Sequence, residues 1–449
     1  MQQYIDLYNE HREAFHRDAP AALNALRERA LQVVAGTPLP PRGSDDHEAI
    51  DLPEMFATDY GLNVSRLNID PRLAESFHCD VPNLSTALWC VAGDVPRPTA
   101  TALRPMPGVD VMTLRQAGQR CPELLEQYLG QAADISQPVV ALNTLLAQDG
   151  LLIHVHEGVT CPKPIQIVNI LNATAPMMAV RRLLVVADSG ANVKLLLCDH
   201  TQRDGVPMLS LQVTEVFAAS GATIDVYDLE EATAATRRVN ASFVSQSDNS
   251  NVLVDTITLS GGTTRNEITV DANDPGTETH LLGMAIADGS QTVDNRTLIR
   301  HHAPRCDSNE MYKYVLDDKA VGGFEGRIRV DEGCPRVEAY QGNRNLLAAA
   351  TARMHTKPQL EIYTDDVRCS HGTTIGQLDD DALFYMQSRG IPRDTARTML
   401  MQAFMADVID AVRLDVLRDR LRHLVDKRFA GQLASCANCH IQSPRPPIG

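Results

Sequence analysis

Ser189-Gly190-Ala191-Asn192-Val193 returns thirty-one residues later as Ser220-Gly221-Ala222-Thr223-Ile224, and Asp248-Asn249-Ser250-Asn251-Val252 follows at a similar interval without the glycine. Short apolar runs surround these copies, among them Leu151-Leu152-Ile153-His154-Val155, Leu183-Leu184-Val185-Val186-Ala187, Val193-Lys194-Leu195-Leu196-Leu197 and Val252-Leu253-Val254. Gly, Asp, Asn or Ser bounds each run, so residues from about 138 to 378 read as strand after short strand. Helical periodicity nearly vanishes there. A repeat of this size suits a solenoid, in which no coil can bury its apolar face alone and successive coils cover one another. A β-sandwich or barrel also has many short strands, but an internal period distinguishes the solenoid.

Outward from this core the pattern becomes helical on both sides. Residues 1–137 form an N-terminal helical and mixed region. Tyr4, Leu7, His11 and Phe15 recur every three to four residues, and Leu23, Leu26 and Leu31 repeat within Ala21 to Val34. A breaker-rich linker covers residues 36–46, residues 47–110 mix short strands and loops, and a further helix is expected from Leu114 to Leu129. Beyond the strands, residues 379–449 turn helical with a flexible tail. Asp379 to Asp381 offer N-cap carboxylates, Gly390 stands where a helix C′ residue would, and Pro392 follows. The next helix should bury Leu400, Phe404, Val408 and Val412. Between Ala411 and Arg428 six basic residues face three aspartates; this is a solvated surface or a docking face.

Composition narrows the functions. The chain has 449 residues, about three domains' worth on a length prior, and 44% apolar content, enough for a sizeable core. Its net charge of −16 opposes nucleic acid as a main partner, and 4% aromatics supply few stacking platforms. No apolar run reaches the ~18 residues of a membrane span. The N-terminus lacks a signal-peptide h-region, and ten scattered cysteines do not form the framework of a small secreted domain. A cytoplasmic protein is expected.

The P-loop, the dinucleotide fingerprint, the His-Glu-x-x-His metal motif and the nucleophile elbow are all absent from the sequence. Thiol–imidazole groupings remain. Cys369 and His371 lie two apart, so on a strand they share a face, and a thiolate beside an imidazole suits iron or zinc. Free cysteines and single histidines are also ordinary buried groups. Cys436-Ala437-Asn438-Cys439-His440 is formally the C-x-x-C-H of haem attachment, but it lacks the export that motif needs. A metal clip or a tail without a role fits it better. His154 and His156 share a strand face with nothing nearby in sequence to complete a metal shell. His301, His302 and Cys306 cluster around Pro304 as metal ligands or as a polar loop.

The run from Lys357 to Asp379, containing Asp365-Asp366-Val367-Arg368-Cys369-Ser370-His371-Gly372-Thr373-Thr374-Ile375-Gly376, continues into Leu383-Phe384-Tyr385-Met386-Gln387-Ser388-Arg389-Gly390. Together with Tyr340-Gln341-Gly342-Asn343-Arg344-Asn345, Tyr314-Val315-Leu316-Asp317-Asp318-Lys319 and Leu142-Asn143-Thr144, it resembles the SufB/SufD family of the SUF iron–sulfur cluster assembly system. The resemblance spans about residues 138–425 and leans to the SufD branch. SufB-type chains usually carry His-Glu where His371-Gly372 stands, and they lack the cysteine at 369. The stretch 45–50 departs from the family, which usually has Trp or Tyr there.

The resemblance implies a mainly β protein, a right-handed parallel β-helix between N-terminal and C-terminal helical segments. It implies a non-catalytic scaffold that pairs with a SufB-like paralogue and binds the SufC ATPase through its C-terminal helices. His371 would match the family's interface histidine and Cys369 its nearby cysteine, both as candidate metal or cluster-assembly residues. No tightly bound cofactor is expected, only a transient iron–sulfur cluster at the SufB interface, with room for a flavin in the complex. An isolated chain could form a homodimer. Two other classes fit a solenoid: an enzyme acting on acidic polysaccharide, or a purely structural homo-oligomer.

Overall fold

The structure is a computed structural model that describes residues 1–44, 48–62, 87–99, 106–201 and 204–431. The repeated turn signals stack directly on one another. The Gly190 N–H donates to the Ser220 carbonyl at 2.8 Å, and the Gly221 N–H to the Asp248 carbonyl at 2.9 Å. Gly190 and Gly221 have φ of +68° and +66°, where a Cβ would be strained; Asn249 takes the same corner at +53°. Asn tolerates this left-handed conformation better than most residues, which explains the copy without glycine.

Each coil contributes one strand to each of two sheets. Odd-numbered strands from β5 (Ile165–Leu171) to β19 (Val367–Gln377) form one parallel array, and even-numbered strands from β4 (Leu151–Val155) to β18 (Arg353–Ile362) form the other. The result is a parallel β-solenoid of about eight turns. Alternation sends Val193, Leu195, Leu197, Ile224 and Val226 inward to a common core and Leu196 and Tyr227 outward. β1 (Ala87–Ala92) extends the odd sheet in parallel and β2 (Val95–Pro98) closes it, while β3 (Val109–Thr113) lies antiparallel on β4. Thus the region read as helical and mixed also supplies three strands.

The lumen is not wholly apolar. Arg238, on β10 (Thr236–Gln246), donates to Asp199 at 2.7 Å, to both oxygens of Asp228 at 2.6 Å and to Asn266 at 2.7 Å. All four are buried. Burial alone would lower the Arg238 pKa, but the Asp228 and Asp199 carboxylates reverse this and raise it. Arg181 adds a second partner to Asp199 at 3.2 Å.

Helices cover the outer face of each sheet. α1 (Gln2–Glu10), α2 (Arg12–Arg17), α3 (Ala21–Gly36), α4 (Leu52–Met55), α5 (Leu114–Arg120), α6 (Pro122–Tyr128) and α7 (Pro138–Leu146) share a core with Met178, Val180, Leu184, Leu209 and Leu211 of the even sheet. Buried Arg27 binds this layer together, donating to the carbonyls of Phe15, Thr144, Leu145 and Ala147. The single helix expected from Leu114 to Leu129 is two. Pro122 cannot continue a helix interior but fits a first turn, so the chain breaks at Cys121 and restarts. α7 also falls inside the stretch read as strands, because its run of apolar residues is buried all round and shows no helical stripe.

At the other end, the Asp379 carboxylate accepts from the Asp381 and Ala382 N–H groups and caps α8 (Asp380–Ser388). Gly390, at φ +87°, ends it in a Schellman turn: Gly390 N–H to Gln387 carbonyl and Ile391 N–H to Met386 carbonyl. α9 (Arg393–Asp410) and α10 (Asp415–Phe429) then fold back across the odd sheet, sharing a core with Leu196, Tyr227, Leu253 and Leu282. The buried residues of α9 include Met401, Met405 and Val408, and Val412 is buried in the turn that follows, whereas Leu400 and Phe404 are only half-buried. The basic run is partly spent inside the molecule. Arg413 pairs with Asp225 at 3.1 Å and Arg428 with Asp288 at 2.6 Å, clamping α10 to the coils. Among the described residues no helix is long and apolar enough to cross a membrane.

Candidate functional site at the open end of the solenoid

Helices sheathe the first coils of the even sheet, whose later strands keep a half-exposed outer face, and the last coil is bare on both sheets. β18 ends the even sheet and β19 ends the odd sheet, so both are edge strands. Burial collapses across one strand: β17 (Val337–Leu347) alternates buried and exposed residues, whereas β19 is exposed at nearly every position. Tyr340, Ile362, Tyr363 and Ile375 leave apolar surface at this end.

β19 carries both residues expected to act. Cys369 lies opposite Ala339 of β17, half-buried against the end of the inner core. Burial raises its thiol pKa, and a hydrogen bond with the Ala339 backbone pulls the other way. His371 lies opposite Gln341 and is exposed. The two-residue spacing puts both on one face of the strand, the face that continues the inner core. Among the described residues no third Cys, His, Asp or Glu joins them in a three-ligand cluster.

Register continues inward from His371. Glu310 of β15 (Asp307–Leu316) pairs with Gln341, and Gln341 pairs with His371, so the three form one row along the inner face. The Gln341 amide donates to the Glu310 carboxyl at 2.5 Å. Glu310 is fully enclosed; burial pushes its pKa up to about 7, with hydrogen bonds from Thr297 and Gln341 opposing. Gly326 of β16 (Val321–Val330) keeps the space open, since a Cβ there would strike the Gln341 amide. Thr373 and Thr356, also at this end, bond to each other at 3.1 Å and to Asn343. Sequence reasoning missed Glu310 and Gln341. Their offsets from His371, one and two coil periods back, are the signal that finds them.

The other groupings separate. His301 points inward to Ser308 at 3.0 Å, and burial lowers its pKa to about 4. His302 points outward between Asp271 and Asp331, at 2.8 and 2.7 Å. The Cys306 thiol donates to backbone carbonyls. Consecutive strand residues face opposite ways, so these three do not converge. Cys436, Cys439 and His440, like Asp45, Asp46 and His47, lie outside the described residues. The seven described cysteines are all free.

Residues 169–404 match the SufBD core domain of SUF-system FeS cluster assembly, and residues 1–167 match the SufBD protein N-terminal region. An iron–sulfur cluster assembly SufBD family protein of Synechocystis is 26% identical over 413 residues, 90% of either chain. The iron–sulfur cluster assembly protein SufD of Escherichia coli is 34% identical over 173 residues, 38% of this chain and 41% of that one. SufD of Bacillus subtilis is 23% identical over 328 residues, covering 72% and 74%. With its solenoid, its flanking helices and more than half its length matched, the chain belongs to the SufBD family of iron–sulfur cluster assembly proteins.

Proposed function

We propose that this chain is a non-catalytic scaffold subunit that pairs, through the bare last coil, with a SufB-like paralogue and presents His371 and Cys369 to a forming cluster. The observation that carries the reading is the combination of two edge strands, exposed apolar side chains and an unfinished donor pair at one end of the solenoid. Solenoids need a cap, and an exposed strand edge is a template for another chain. A thiol and an imidazole are too few for a cluster iron, so a second chain would supply the remaining ligands. The cluster is cargo here.

The C-terminal helices would hold the SufC ATPase. α9 and α10 spend their apolar faces on the solenoid, but α8 leaves Phe384 73% and Tyr385 59% exposed, with Arg389 stacked 5.2 Å from the Tyr385 ring. Large aromatics beside an arginine have the composition of an interface hot spot.

Co-expression with SufB-like and SufC-like partners and anaerobic purification test the assembly. His371→Ala should leave the complex intact and sharply reduce cluster absorbance; an unchanged spectrum would refute the role of His371. Failure of the three chains to co-purify would refute the pairing itself.

A further inference from the structure

The first coil, at the opposite end from His371, gathers another set of donors. β3 runs antiparallel to β4 with Asp110 directly opposite His154. Ile153 and Val155 point into the core, which turns His154 and His156 outward. The His156 N–H bonds to the Gly108 carbonyl at 2.9 Å, keeping the end of the strand beside β3. One coil on, the Asp188 N–H donates to the Val155 carbonyl at 2.9 Å and fixes a second carboxylate next to the rings. Chain segments 34 to 46 residues apart thus converge through backbone hydrogen bonds, not through flexible surface side chains.

The side chains meet closely. His154 Nε2 lies 2.9 Å from Asp188 Oδ2, His156 Nε2 lies 2.8 Å from Asp110 Oδ2, and the imidazoles sit 4.4 Å apart between centroids. One donor atom from each of Asp110, His154 and His156 falls within 4.8 Å of the others. Sequence alone offered nothing to complete a shell around these histidines, because the missing carboxylates come from a neighbouring strand and the next coil.

We propose that Asp110, His154 and His156 form a binding site for one divalent first-row transition-metal ion, Fe(II) or Zn(II), with the Asp188 carboxylate beside His154. Two imidazole nitrogens and one carboxylate oxygen suit such borderline ions. The carboxylates carry two negative charges, which a divalent ion neutralises. Without metal each Nε2–H donates to its carboxylate; metal entry replaces these two contacts, the ring proton passing through solvent to Nδ1 so that Nε2 gives its lone pair. His154 is only 14% exposed, whereas His156 and Asp110 are 47% and 50% exposed. The site is therefore backed by the fold on one side and open on the other, where water or an exchanging ligand completes the coordination. This proposal is independent of the role given to His371.

The test uses the untagged full-length chain under anaerobic conditions, dialysed separately against Fe(II), Zn(II) and Mg(II), with Co(II) as a spectroscopic probe. One equivalent of Fe(II) or Zn(II) should remain bound in the wild type and in a Cys369→Ser, His371→Ala, Cys436→Ser, Cys439→Ser variant. His156→Gln and Asp110→Asn, both exposed enough to leave the fold intact by circular dichroism, should each weaken that equivalent at least tenfold. Bound Co(II) should show visible ligand-field bands without a thiolate charge-transfer band. Undiminished binding in the His156 and Asp110 variants, loss of binding in the cysteine variant, equal affinity for Mg(II), or no retained metal at all would each overturn the proposal.

Discussion

Glu310 is the lumen residue whose charge state is most open to experiment. Its pKa in the fold, about 7, lies above the ordinary glutamate value because burial disfavours the carboxylate. A raised carboxyl pKa contributes stability that is complete below the unfolded value and lost as pH rises through the folded one. Glu230 and Asp255 are likewise pushed up to about 7 by burial. His301 works in the opposite sense: lowered to about 4, it costs stability as pH falls below about 6.5. The three acids predict a thermal midpoint that declines from pH 6 to pH 8. His301 opposes this at the lower end of that range, as do His16, His200 and His280, which burial also lowers. Glu310→Gln should flatten that decline while keeping the hydrogen bond to Gln341, and a pH series of melting curves checks it. At this scale the sequence was only partly legible. The spacing of Cys369 and His371 reveals a shared face because a strand alternates every residue. The Glu310–Gln341–His371 row needs the coil period, and that period varies as the turns lengthen and shorten: 31 residues from Asn192 to Thr223, 27 from Asn251 to Glu278.

Among the elements, capping chemistry was the most readable part. Asp379 and Gly390 fix both ends of α8 by local rules, whatever packs around them. The buried stripe of α9 was less so. Phe404 stays at the margin, its ring 4.9 Å from the Lys313 ammonium, which also donates to the Phe404 carbonyl and to Asp407. Apolar spacing cannot foresee that a buried lysine on the solenoid will claim one edge of the helix. The exposed ring of Phe384 touches no such partner core. Phe384→Asp is expected to abolish co-purification with the ATPase while shifting stability by less than about 0.5 kcal/mol, as surface substitutions do. Pull-down beside chemical denaturation measures both. Retained binding would move the docking surface elsewhere.

Across the whole molecule, strand count and turn punctuation revealed a solenoid, but not that its lumen is half polar. Asp199, Asp228 and Arg238 look like surface residues in an alternating strand. Helices cover the outer faces of the strands that carry them, so both sides of those strands are buried and alternation no longer tells inside from outside. Such a network is cooperative in its failure: removing Arg238 leaves the enclosed Asp228 without its cation and Asp199 with Arg181 alone. Arg238→Leu should cost roughly 3–5 kcal/mol in denaturant unfolding, the scale for one lost member of a buried ion pair. Restoring neutrality with Asp228→Asn in the same chain, which leaves Asp199 paired with Arg181, should recover part of it.

The fold-back of α9 and α10 has a bearing on how the protein is made. Ribosomes extend a chain from its first residue, so the coils leave the exit tunnel one after another with the outer face of the odd sheet still wet. The segment that will cover Leu196, Tyr227, Leu253 and Leu282 is translated only after the coils are complete. Until residues near 429 emerge, nascent copies display a broad greasy wall. A premature stop in the last helix would thus strand the product in a sticky, half-clad form, a natural client for chaperones and degradation.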